Sequence, residues 1–321
     1  MTPSKSFKTF KLILQTAVRP CLTFRLSFPI FPIKLGLLPW LANRKLHKYI
    51  NAQDHPTTKI EKRSVAGVTC YLFSPKKLAQ HPEEGLIIYI HGGAFTMGSA
   101  GTYLPLMTVL ANDSEHPILF IDYSLAPAAK YPHAAMECFT VYEQLLKSGY
   151  SADKIVIGGD SAGGNLVAGL LHRLRATDIE FPAGLFLESP FTDLTFSGES
   201  FTSNWITELI LPLMPPKKGL WEWWMKLLYA GLDADSTSPY LSPLFGSFND
   251  WPPISISYSL REQLKDDSTR LIKKARDAGV EVNELALNYT PHANYMFLET
   301  YDEARISYEH HLNFIRKKLN K

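Results

Sequence analysis

Cysteine is scarce in this 321-residue chain, with only Cys21, Cys70 and Cys138, all far apart. No two form a CxxC pair, and no zinc-binding spacing surrounds them. That argues against a disulfide framework or a structural zinc site, and for buried or free thiols in a reducing, cytoplasmic setting. Long apolar runs are also missing. No stretch of 18 uncharged apolar residues occurs, which argues against a transmembrane helix. Phosphate loops, Gly-x-Gly-x-x-Gly dinucleotide fingerprints, metal-ligand clusters and nucleic-acid motifs are absent too. The expectation is therefore no cofactor, no metal and no nucleic-acid partner.

Acidic side chains are missing from residues 1–50, which carry nine lysines and arginines. Lys5, Lys8 and Lys11 precede Leu12-Ile13-Leu14, as at the start of a signal peptide. Arg19, Pro20 and Arg25 then break the apolar run, and no small-residue cleavage site follows. The basic residues alternate with apolar ones, which fits amphipathic helices better than a phosphate-tracking patch. The favoured reading is two short helices, broken by Pro29, Pro32 and Pro39, that pack on the body as part of a cap. The alternative is peripheral contact of this basic arm with an anionic membrane surface.

The chain has ample material for a core, with 45% hydrophobic and 20% charged residues. Lys59–Ser74 alternates around Gly67 and reads as an opening hairpin. Buried strands are expected at Leu86–Ile90, Ile118–Tyr123, Lys154–Gly158, Gly184–Leu187, Pro253–Tyr258 and Val280–Asn288. Helices are expected at Thr102–Asn112, Ala134–Ser148, Asn165–Leu174, Ser268–Ala278 and Tyr301–Leu319. Strands alternating with helices imply a mainly parallel sheet covered on both faces, an α/β fold. Residues 195–235 break that alternation. The expected organisation is cap helices over 1–50, a first catalytic part over 51–194, an inserted cap over 195–235 and a second catalytic part over 236–321.

Gly-Asp-Ser-Ala-Gly at 159–163 sits between an expected strand and an expected helix. Strand, Gly-x-Ser-x-Gly, helix is the nucleophile elbow of an α/β hydrolase, which makes Ser161 the candidate nucleophile. A Cβ at either flanking glycine would collide with the strand or the helix. His91-Gly92-Gly93-Ala94 follows an earlier strand. Small residues there let backbone N–H groups approach a tetrahedral intermediate, so Gly92, Gly93 and the N–H of Ala162 form the expected oxyanion hole. His292, directly after the last strand, is the expected general base. His91 comes too early for that role. His133 and His172 read as structural, and His310 and His311 as surface residues of the terminal helix.

Four motifs in order carry a resemblance: His-Gly-Gly-Ala-Phe at 91–95, Asp-Tyr-Ser-Leu-Ala-Pro at 122–127, Gly-Asp-Ser-Ala-Gly-Gly at 159–164 and Pro-His at 291–292. They resemble the hormone-sensitive-lipase-like branch of α/β hydrolases from about residue 59 onward. The resemblance implies a carboxylesterase for short and medium acyl esters, with a cap built from the N-terminal segment and an insertion after the sixth strand. Two departures stand out. Ser124 and Ala128 replace a usual Arg and Glu, so a local salt link is lost. The family's acid motif, Asp-Glu-x-Leu-x-Asp-Asp-Ser, reads Arg-Glu-Gln-Leu-Lys-Asp-Asp-Ser at 261–268, with Arg261 at the acid position.

An Arg beside His292 would disfavour the imidazolium. The expectation is a rewired or weakened triad, with Glu262 the first replacement acid and Asp193 the second. Asp266 reads as a helix cap. Phe95, Phe191, Trp205, Trp221 and Trp224 are the expected apolar substrate wall, with Trp221, Trp224, Met225 and Leu228 on one helical face. The expected substrate is a small apolar ester, and a homodimer is left open. The alternatives are a catalytically impaired binding protein of the same fold, which only Arg261 favours, and a lactonase or amidase on the same site.

Overall fold

The computed structural model describes residues 4–13, 55–77, 85–211 and 217–320. Its frame is one eight-stranded sheet in the order β1-β2-β4-β3-β5-β6-β7-β8. β1 (Thr58–Val65) and β2 (Val68–Pro75) form the opening hairpin. Its turn is Ala66-Gly67, both at positive φ (49° and 86°), the left-handed pair that a two-residue hairpin loop requires. β2 also pairs antiparallel with β4 (Ile118–Ile121). From β4 onward the sheet is parallel, through β3 (Leu86–Ile90), β5 (Ile155–Asp160), β6 (Gly184–Glu188), β7 (Ile254–Ser259) and β8 (Val282–Leu287).

Every residue of β3, β4, β5, β6 and β7 is buried. That explains the continuous apolar runs, since a parallel strand is covered on both faces. Alternation along each strand divides the core in two. Leu86, Ile88 and Ile90 join Ile155 and Ile157 under α3 (His133–Lys147) and α4 (Ala162–Ala176). Ile87 and Tyr89 join Val156 and Phe186 under α2 (Ala100–Ser114) and α8 (Asp302–Leu319). Each fully buried Leu or Ile contributes about 1.5–3 kcal/mol.

α1 (Lys5–Ile13) is tied to the start of α8, where Ser4 N–H and Oγ donate to the Glu303 carboxylate at 2.6 and 2.7 Å. The proline breaks expected at 29, 32 and 39, and Cys21, lie outside the described residues. Cys70 and Cys138 are buried free thiols, and burial pushes Cys70 up to about 12. No helix among the described residues is long and apolar enough to cross a membrane. The connection from β6 to β7 breaks the alternation as expected. It holds the short helix α5 (Ser200–Ser203), α6 (Lys218–Met225) and a wider turn over Lys226–Ala230.

Two expectations about side chains are overturned. His311 is 2% exposed. It faces inward because α8 crosses the sheet over Ser255 and Ser257, whose hydroxyls lie 3.0 Å from its Nδ1 and Nε2. Asp266 does not cap its own helix, α7 (Lys265–Asp277). Its carboxylate instead accepts the N–H of Ser200 at 2.8 Å, the first residue of α5.

Candidate active site

Ser161 is the single residue between β5 and α4, with φ 50° and ψ −118°. That left-handed twist turns its side chain off the strand end. The backbone is fixed on both sides, because Ser161 N–H donates to Glu188 O at 3.0 Å and Ser161 O accepts the Phe191 N–H at 3.0 Å. The glycines are needed for close approach. A Cβ on Gly163 would strike Ile90 O and the His91 backbone, and one on Gly159 would meet Ile90 O at 2.5 Å. Neither neighbour is a side chain that can swing away.

The His91–Phe95 loop is braced from three sides. Tyr123 Oη donates to His91 O at 2.8 Å, and Ala126 N–H donates to Phe95 O at 2.9 Å. His91 is fully buried and stacks on Tyr123 at 4.1 Å, a structural role. The third brace is Asp160, the residue before Ser161. Its buried carboxylate accepts from Tyr89 Oη at 2.8 Å, Tyr103 Oη at 2.9 Å and Gly92 N–H at 3.0 Å. Burial pushes that carboxyl up despite these three donors. The Gly92 N–H, expected to face the oxyanion, is therefore already committed to Asp160 and to Tyr103 Oη. The N–H groups of Gly93, Ala94 and Ala162 carry no such bond among the described residues.

His292 lies in the loop after β8 and is 3% exposed. Its Nδ1 is 2.7 Å from Glu262 Oε2, while its Nε2 has no partner among the described residues. Glu262 is itself buried and accepts the Ser259 N–H at 3.2 Å and a hydrogen bond from Ser189. The Ser189 hydroxyl also accepts the Ala293 N–H at 3.2 Å, which ties the histidine loop to the end of β6. Burial alone would lower the His292 pKa. The hydrogen bond and charge of Glu262, then Glu208 and Asp160, outweigh it and hold the imidazole above its ordinary value. Burial raises Glu262, partly offset by His292.

Arg261 stands away from this pair. Its guanidinium lies 4.5 Å from the centre of the Tyr289 ring, and its Nε donates to Asn288 Oδ1 at 3.3 Å. One residue of shift along the loop thus separates the cation from the acid. Asp193 is engaged elsewhere too, by Thr195, Ser197 and Arg270. At the position of the expected lost salt link, Ser124 N–H and Oγ donate to Glu137 at 2.6 and 2.7 Å.

The aromatic residues form a row that starts beside the serine. Phe191 follows Phe95 at 6.3 Å, and Phe95 stacks flat on Tyr229 at 3.8 Å. In the other direction Phe191 meets Phe196 at 5.2 Å, and Trp221 packs against Phe196 and Phe201. Trp224 packs on Trp223, and Trp205 is half-buried after α5. Sequence reasoning missed Asp160, Ser189 and Glu208. Only the position of Asp160 inside the Gly-x-Ser-x-Gly motif was a signal for any of them.

The model of a family described by the alpha/beta hydrolase fold matches residues 87–296. The chain belongs to that family. An esterase of Acinetobacter venetianus is 36% identical to this α/β hydrolase over 230 residues, covering 72% of this chain and 73% of the relative. A putative acetyl-hydrolase of Mycobacterium tuberculosis is 38% identical over 61% of this chain and 60% of its own. A hormone-sensitive lipase from a metagenome library superposes with a TM-score of 0.81 at 28% identity, over 99% of this chain and all of that one. This α/β hydrolase is a carboxylesterase-like enzyme of the hormone-sensitive-lipase-like branch.

Proposed function

We propose that the chain hydrolyses short to medium acyl esters through a covalent acyl-enzyme on Ser161. The single observation that carries this reading is the buried Glu262–His292 pair, which holds Nδ1 and leaves Nε2 without a partner among the described residues. Ser161 Oγ attacks the ester carbonyl carbon while its proton passes to His292 Nε2. The carbonyl oxygen becomes an oxyanion facing the N–H groups of Gly93, Ala94 and Ala162. The intermediate then breaks its bond to the alcohol oxygen, and His292 returns the proton to that leaving group. Water, deprotonated by His292, attacks the acyl-enzyme, and the carboxylate leaves as Ser161 regains its proton. Glu262 keeps the imidazole in one tautomer and stabilises the imidazolium.

The row from Tyr229 through Phe95, Phe191 and Phe196 supports an apolar acyl group, and the β6–β7 connection with the N-terminal arm is the proposed cap. Butyrate is expected to be turned over faster than acetate. The test is hydrolysis of p-nitrophenyl acetate and butyrate by the wild type and by Ser161→Ala. Turnover that disappears in the variant supports the reading. Equal rates in both would put the binding-protein alternative first.

A further inference from the structure

The loop that carries Glu262 is bonded within itself, Glu262 N–H to Ser259 O at 3.4 Å and Lys265 N–H to Glu262 O at 3.3 Å, and is also held from the β6–β7 connection. Leu264, at the start of α7, offers no side-chain cap. The carbonyls of four successive residues, 260–263, are instead bonded by side chains from the β6–β7 connection. Asn204 Nδ2 donates to Leu260 O at 3.1 Å and to Glu262 O at 2.9 Å. Thr207 Oγ1 donates to Arg261 O at 2.9 Å, and Ser200 Oγ to Gln263 O at 2.8 Å. The fifth bond runs the other way, from Gln263 N–H to Glu208 Oε2 at 3.0 Å.

Glu208 is an unusual choice for this task. It is 1% exposed, and no salt bridge to it is found among the described residues. Its other oxygen accepts the N–H groups of Leu209 and Ile210, both at 2.8 Å, and of Leu211 at 3.4 Å. A carboxylate so placed is costly to bury, and four charge-assisted bonds from backbone N–H groups offset that cost. It also sets a second negative charge near His292, behind Glu262. A loop that only needed to close over the core would not need a buried charge there.

We propose that Asn204, Thr207 and Glu208 form a clasp that positions the triad acid, so that the β6–β7 connection sets the geometry of Glu262 against His292. The proposal rests on the esterase reading above and names positioning residues for that same site. If the connection shifts when substrate enters, Glu262 shifts with it. The clasp therefore couples the substrate side of the molecule to the base. The coupling runs through backbone bonds at residues 260–263, so it acts on the orientation of Glu262 and through it on His292.

Two variants test this. Asn204→Ala removes both of its donors without adding charge. Glu208→Gln removes the charge at nearly constant volume, although its amide N–H₂ would face backbone donors and destabilise the loop. Asn204→Ala carries the test if Glu208→Gln does not fold. The groups that face His292 are Glu262 on the β7–α7 loop, Glu208 on the β6–β7 connection, Asp160 at the end of β5 and Glu188 at the end of β6. All are carboxyls, so loosening Glu262 or neutralising Glu208 shifts the imidazole the same way, downward.

The measurement is kcat, KM and the pH profile of kcat/KM on p-nitrophenyl butyrate. In a folded variant kcat is expected to fall about 10- to 100-fold, the cost of a misplaced catalytic group, with KM changed little. The acidic limb, which reports the free enzyme's base, is expected to move to lower pH. Ser161-dependent turnover in the wild type with variants that match it in kcat and limb would overturn the clasp alone. A fall in activity that tracks loss of folded protein, with the limb unmoved, would also overturn it. Absence of Ser161-dependent turnover in the wild type would overturn the esterase reading and the clasp together.

Discussion

His292 and Glu262 are joined at 2.7 Å, Nδ1 to Oε2, with both side chains almost wholly out of contact with water. Neighbouring Arg261 turns its guanidinium to Tyr289 and Asn288. Glu262→Gln is therefore expected to lower kcat about 10³- to 10⁴-fold, as loss of the orienting acid does in serine hydrolases. Arg261→Ala is expected to stay within about threefold of wild type, the range of a peripheral change. Steady-state kinetics on p-nitrophenyl butyrate separates the two. The reverse order of effects would return the acid role to an open question.

The raised His292 pKa has a sign that can be checked. Glu262 holds the imidazole above its ordinary value. The acidic limb of kcat/KM is expected above about pH 6.5, the value of an unperturbed histidine. In whatever activity Glu262→Gln retains, the limb is expected to move down. An unchanged limb would mean that the pair does not control the base.

Asp193 belongs to stability. Burial would raise its carboxyl, but the hydroxyls of Ser197 and Thr195, with Arg270, outweigh that and hold it below its ordinary value. A carboxylate depressed in the folded state stabilises above its unfolded pKa and loses that contribution as pH falls. Asp193→Ala is expected to cost about 2 kcal/mol at neutral pH, in the range for a hydrogen-bonded charge with a half-exposed partner. Its kcat on p-nitrophenyl butyrate is expected to be unchanged. Urea unfolding and initial rates measured on the same preparation decide the matter.

Much of this arrangement was legible in the sequence. The strand–Gly-x-Ser-x-Gly–helix pattern placed Ser161, because the crowding of Gly159 and Gly163 against Ile90 leaves few residue types that fit. His292 followed from chain order. Glu262, the first replacement acid expected from the sequence, has its Oε2 2.7 Å from His292 Nδ1. Spacing alone does not show that the Gly92 N–H bonds an Asp160 carboxylate and a Tyr103 hydroxyl, which come from other elements. The burial of His311 is hidden from the sequence for a similar reason. A histidine pair on an amphipathic helix looks like surface until the Ser255 and Ser257 alternation is seen to lie beneath it.

That buried cluster gives a further expectation. Burial lifts Glu188 to about 8 from 4.5, and burial lowers His311 to about 3 from 6.5. The folded state therefore favours a protonated Glu188, whose stability contribution is full below pH 4.5 and is lost as pH rises through about 8. For His311 the sense is opposite, with stability present above pH 6.5 and lost as pH falls toward about 3. Glu188→Gln removes the first dependence. Its melting temperature relative to wild type is expected to rise between about pH 4.5 and pH 8 and to level off outside that window, and a constant difference across it would contradict the assignment.

The most direct test of the central claim is trapping the nucleophile. The protein is treated with p-nitrophenyl diethyl phosphate, and the adduct is located by intact mass and peptide mapping. The account predicts one diethylphosphoryl group on Ser161, absent in Ser161→Ala and formed far more slowly in His292→Ala. Ester hydrolysis with no adduct at Ser161, or with the adduct on another residue, would contradict it.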